Sequence, residues 1–120
     1  MESYEEQLNG VRAHYPFRQW RESGLEQYTE EACSSFAAIF DKLIAKLATL
    51  GADASDVAKL SLFQEAIEAT NALNEQDESL IETGEREDLC ELTNRVAVAA
   101  NLEPEKYGDG EGPASEWRDW

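Results

Sequence analysis

The residues from Leu25 to Leu50 constrain the fold more than any other part of the chain. Apolar side chains fall at Leu25, Tyr28, Ala32, Phe36, Ile39, Leu43, Leu47 and Leu50, in steps of 3, 4, 4, 3, 4, 4 and 3. That spacing draws one stripe along an α-helix. Phe40 and Ile44 widen it beyond a coiled-coil seam, so the helix needs neighbours on more than one side. Ser23 with Glu26 reads as a capping box, and Gly51 suits the residue just past the C-terminus. The expectation is a central helix over 24–50.

Around that rod the sequence predicts an all-α domain. Residues 1–15 read as a first helix, capped by Ser3 with Glu6, with Tyr4, Leu8, Val11 and Tyr15 on one face. Gly10 weakens it and Pro16 stops it. Phe17 and Trp20 fold onto the bundle, while Arg18 and Arg21 pair with the acidic surface. A loop over 51–55 ends in Asp53 or Ser55, either of which can cap a third helix over 54–75. Val57, Leu60, Phe63, Ile67 and Thr70 form one face of that helix. Leu62, Ala66, Ala69 and Leu73 extend it, enough to touch two neighbours. Asn71 and Asn74 near its end can satisfy free carbonyls. Leu80 and Ile81 plug the core before a fourth helix over 84–101. Its stripe is Leu89, Leu92, Val96 and Ala99 or Ala100, flanked by Cys90 and Ala97. Asn101 can close it in the left-handed conformation, and Pro104 prevents its return. Residues 102–120 form an irregular tail. The fold expected is a bundle of about four helices in one domain, with the tail packed on it.

A chain of 120 residues can bury roughly 65% of its unfolded surface, so neither metal nor disulfide is needed for a core. Cys33 and Cys90 lie in helical patterns and read as small buried thiols. The first residues have neither a basic stretch nor an apolar one, so no signal peptide is expected. No apolar run reaches the roughly 18 residues of a membrane span. A reduced, cytoplasmic setting is the expectation.

Charge limits the partners. Twenty-six acids against ten bases give −16. Residues 1–50 carry a net −3, residues 51–75 carry −4, and residues 76–120 carry −9. Such a surface repels nucleic acid and anionic membranes. It draws basic partners and speeds their encounter, or serves solubility alone.

No motif supports catalysis. His14 is the only histidine, and it stands beside Tyr15 and Pro16 with no nucleophile motif to use it. The usual zinc and nucleotide signatures are absent. Gly108 to Gly112 lacks the oxygen ligands of a calcium loop. Glu82 with Glu85 or Glu87 is the nearest thing to an acid–base pair, and acids in a helix's first turn are more simply a solvated cap. No cofactor, metal or enzyme activity is expected. Trp117 and Trp120 are costly to leave in water, so they are expected to dock the tail on the bundle, with Arg118 pairing to an acid of the 82–88 cluster.

Several stretches together resemble one family. Leu80-Ile81-Glu82-Thr83, Glu85-Arg86-Glu87-Asp88-Leu89-Cys90, Tyr107-Gly108, Gly110-Glu111-Gly112, and Ser115 with Trp117-Arg118-Asp119-Trp120 are similar to small acidic helical immunity proteins. These belong to bacterial polymorphic toxin systems of the contact-dependent growth-inhibition and Rhs types. The resemblance implies a stoichiometric inhibitor of a cognate toxin domain in the cytoplasm. It implies a basic target, often a nuclease, whose active site or a neighbouring exosite is covered. On that reading Glu82, Glu85, Glu87, Asp88, Asp109 and Glu111 supply an acidic face, with Tyr107 and Trp117 as desolvated anchors. The chain itself is expected to be a monomer or weak dimer that binds neither nucleic acid nor membrane. Three other readings stand beside this one. The first is a structural or regulatory protein that self-associates through the wide face of the 54–75 helix. A nucleic-acid mimic binding several basic proteins is the second, and an enzyme is the weakest.

Overall fold

The long central helix is present, and the other elements wrap it. The computed structural model describes residues 3–22, 30–76, 81, 83–118 and 120. The expected Ser23–Glu26 cap, the stripe positions Leu25 and Tyr28, and Leu80 and Glu82 lie outside the described residues. Among those described, the helices are α1 (Tyr4–Gly10), α2 (Phe17–Glu22), α3 (Glu30–Leu50), α4 (Asp56–Gln76), α5 (Thr83–Ala99) and α6 (Ala114–Trp117), and there is no strand. The fold is all-α.

α3 buries Cys33, Phe36, Phe40, Leu43, Ile44 and Leu47 on one stripe. Gly51 ends it at φ 95°, donating its N–H to the Leu47 carbonyl at 3.1 Å. A positive φ is open to glycine at no steric cost, which is why the chain can reverse there. α4 returns antiparallel, and the Ser55 hydroxyl caps it by accepting the Ala58 N–H at 3.2 Å.

The N-terminal segment is two pieces where the sequence suggested one. Ser3 caps α1 as expected, its Oγ accepting the Glu6 N–H at 3.1 Å. Beyond Gly10 the coil tightens into a 3₁₀ turn over Val11–His14. Glycine is among the weakest helix formers and Pro16 is close ahead, so the chain changes pitch between them. Tyr15, Phe17 and Trp20 then meet Phe36 and Phe40 of α3. Phe17 stacks on Phe36 at 5.9 Å, and Trp20 stands edge-on to both, at 5.2 Å from Phe17 and 5.5 Å from Phe36. Such pairs add about 1 kcal/mol each beyond their area burial. This aromatic knot fixes α2 to α3.

The inner face of α4 is shifted from the sequence reading. Val57, expected in the core, is 78% exposed, while Lys59 is 2% exposed. At 3.6 residues per turn, Lys59 lies about 40° from Phe63 around the axis and Val57 about 120°. The angle decides burial here, and residue type does not. Lys59 is accommodated because its ammonium donates to the carbonyls of Ala52 and Ala100, both at 2.9 Å. Thr70 and Thr93, both fully buried, satisfy their hydroxyls on the carbonyls one turn back, Ala66 and Leu89.

Asn101 closes α5 at φ 65°. Its N–H reaches Val98 O at 3.0 Å, and the Leu102 N–H reaches Ala97 O at 2.8 Å. This is a Schellman closure, with Leu102 buried beside it. The molecule measures 42 × 28 × 19 Å, about two helix layers in its thinnest direction.

Candidate functional site

The tail expected to be irregular is an ordered lip. Two 3₁₀ turns, Pro104–Lys106 and Gly108–Gly110, precede α6. The Tyr107 carbonyl gathers the N–H groups of Gly110 and Gly112, at 3.1 and 3.0 Å, so the loop closes on itself. Two of its glycines are required by close approach. Gly112 sits at φ 118°, where a Cβ would overlap Asn94 Oδ1. Gly108 sits at φ 59°, and a Cβ there would come within 2.6 Å of Ser115 Cβ. Glu116 then fastens the lip, its Oε1 accepting the Gly108 N–H at 2.6 Å.

Two asparagines tie the lip to the bundle. Asn71 of α4 donates to the Trp117 carbonyl at 2.8 Å, and Asn94 of α5 donates to the Glu111 carbonyl at 3.2 Å. Trp120 is buried at 9% exposure and Trp117 is half-buried against the core. Both tryptophans dock. Arg118 serves the lip internally: its guanidinium donates to Trp120 O at 2.8 Å and Ser115 Oγ at 3.2 Å, lies over the Trp120 ring at 5.6 Å, and pairs with Glu111 at 3.7 Å. Its expected partner in the 82–88 cluster is replaced by Glu111, seven residues back in the lip itself.

Asp109, Glu111 and Glu116 line an open hollow of about 630 Å³, with Arg118 and Trp120 as its floor. Asp109 holds a left-handed φ of 55°, a conformation that aspartate tolerates better than most residues. The outer side of α5 borders this region through Cys90. Its thiol is pushed up by burial, pulled down by Arg118, raised by Glu111, lowered by Arg86 and raised by Glu87. A thiol held protonated is a poor nucleophile. Glu111 of the lip and Glu87 of α5 each lie within electrostatic reach of that thiol.

No family model, curated protein or solved structure matches this chain.

The expected face is therefore assembled in part. Asp109 and Glu111 line the lip's hollow, Glu87 is exposed on α5, and Tyr107 is half-buried at the lip's base. Glu85 stands partly exposed in the first turn of α5. Asp88 does not belong to this face. It is one residue, about 100°, further round α5 than Glu87, and its carboxylate accepts the Trp20 indole N–H at 2.9 Å. Glu82 lies outside the described residues. Trp117 spends its carbonyl on Asn71 and part of its ring on the core, so its role is to hold the lip more than to reach outward. Sequence reasoning missed Glu116, Asn94 and the exposed Glu105. The first two act on backbone atoms far along the chain, and no local pattern announces them.

Between α5 and the α1 segment runs a groove of about 790 Å³, lined by His14, Glu91 and Arg95 among others. Arg95 is held by Glu91 at 3.2 Å. The groove's lining offers His14 no serine or cysteine. Among the described residues, no three His, Cys, Asp or Glu side chains are placed to share a metal ion. No helix described is long and apolar enough to cross a membrane.

Proposed function

We propose that this chain is an immunity protein, a stoichiometric inhibitor that binds a cognate bacterial toxin domain in the cytoplasm. Its target is a basic surface, such as the substrate channel of a nuclease. The observation that supports this reading best is the ordered lip. The most acidic part of the sequence is folded into a glycine-turned, bundle-anchored edge that places Asp109, Glu111 and Glu116 around an open hollow. A preformed acidic edge loses little conformational freedom on binding, and its field steers a basic partner toward it. Tyr107 at the lip's base supplies apolar contact area, while the exposed acids set the encounter rate. The chain carries out no reaction of its own in this account.

The test is capture. The full chain, used as bait in lysate of cells that express its neighbouring genes, is expected to retain one basic toxin domain at one-to-one stoichiometry and to restore growth to cells making that domain. Recovery of the bait alone would remove the inhibitor reading.

A further inference from the structure

A second surface of the molecule answers to a different partner. Among the described residues, no other element covers the outer seam between α3 and α4: its two adjoining hollows, of about 220 and 620 Å³, are lined by residues of these two helices alone. Lys46 and Leu62 border both hollows, so the seam is continuous. At one end lies Ile39 beside Ala69; at the other, Leu50, 41% exposed, lies beside Ala58. Midway, Lys42 and Lys46 converge on Glu65, at 3.6 and 2.6 Å. The Lys46 hydrogen bond holds the Glu65 carboxyl below the usual range.

We propose that this seam is the contact between two copies of the chain. Charge selects it. Each copy carries −16 overall, so two copies repel across most orientations. The seam's own charged residues, two lysines and one glutamate, sum to +1.

The seam is also complementary to itself. Paired residues sit at the same height on the two antiparallel helices. A two-fold axis along the helices lays α3 of one copy on α4 of the other. That operation sets Ile39 over Ala69 of the second copy, Leu50 over its Ala58, and the two lysines over its Glu65. Large side chains then meet small ones, and cations meet a carboxylate. The extent suffices for a weak dimer. A 21-residue helix is about 31 Å long and a helix pair about 18 Å across, so face-to-face contact buries roughly 1,100 Å², near the lower limit of specific interfaces. The lip stays free in such a dimer. Asn71, which holds the lip, lies about 200° round α4 from Ala69 of the seam.

Sedimentation equilibrium of the full chain tests this, from about 1 to about 500 µM, a span suited to micromolar affinities. The mass is expected to rise from 13.4 kDa toward twice that value. Added salt should tighten the dimer, by screening the overall repulsion. Ala45→Glu with Ala69→Glu, at two exposed seam positions, is expected to weaken association at least about tenfold while leaving helix content and melting unchanged. A mass of one chain at every concentration and salt would overturn the proposal. So would a dimer that survives the double substitution.

Discussion

Lys59 shows how one residue can hold several elements. Its ammonium joins the Ala52 carbonyl after α3 to the Ala100 carbonyl at the end of α5, and it lies 5.5 Å from the centre of the Tyr4 ring. Carbonyls at helix C-termini lack intrahelical donors and sit at the negative end of the dipole, so a cation serves both needs. Lys59→Met keeps the stem and removes the charge. It should cost about 2–3 kcal/mol and lower the Tm by on the order of 8 °C, read by thermal denaturation; a change under about 2 °C would contradict the role. Gly112→Ala should also destabilise, by about 2 kcal/mol or more, because the new Cβ meets Asn94 at a strained φ. Tyr15 gives the pH dependence. Burial first, then its hydrogen bond to Asp41 at 2.9 Å, raises the phenol above its usual 10.0. Folded and unfolded chains are both protonated below that value, so nothing is lost there. Above it the unfolded phenol ionises first, and stability falls as pH rises. Urea titrations at about pH 8 and about pH 11 should show this loss, reduced in Tyr15→Phe. The sequence hid Lys59 because a lysine drawn by type belongs outside; only its angle on α4 places it inward.

At the scale of elements, most of the bundle was legible. The Ser3 and Ser55 caps, the Gly51 stop and the Asn101 closure are local features, and each appears where its residues place it; the α3 stripe is rotated, burying Cys33, Phe40 and Ile44 while Ile39 borders the open seam and Leu50 is 41% exposed. Two elements were not legible in full. The first helix reads as continuous because its apolar face continues past Gly10, whereas pitch is set by backbone propensity. The lip reads as irregular because its order comes from a distance: Asn71 to Trp117 spans 46 residues and Asn94 to Glu111 spans 17. The candidate site was half legible for the same reason. Acid content marked the region, but the side of α5 each acid occupies depends on one residue of rotation, which sends Asp88 to Trp20 and leaves Glu87 exposed. If the lip is an integral part of the fold, deleting residues 112–120 removes Trp120, α6 and the Asn71 tie to Trp117. The Tm should fall by at least several degrees in circular dichroism melts. An unchanged melt would mean the lip rests on the bundle without supporting it.

The whole molecule is a thin acidic slab with two faces of different character. The lip gathers acid around an open hollow, and the α3–α4 seam on the other flank of α4 is near neutral and apolar. The first suits a basic partner and the second a like copy, so the two contacts do not compete for surface. The side chains of Glu87, Glu105 and Asp109 hold no hydrogen bond or ion pair among the described residues, which makes them clean positions for charge reversal. The most direct measurement of the proposal is the association rate of the chain with a toxin domain recovered by the capture experiment, followed by stopped-flow fluorescence across ionic strength. We expect the wild-type rate to fall about tenfold or more between low and high salt. Glu87→Lys with Glu105→Lys and Asp109→Lys should lower it by a similar factor at low salt, with dissociation changed less than about threefold. An association rate indifferent to both salt and the triple reversal would contradict the acidic-lip account.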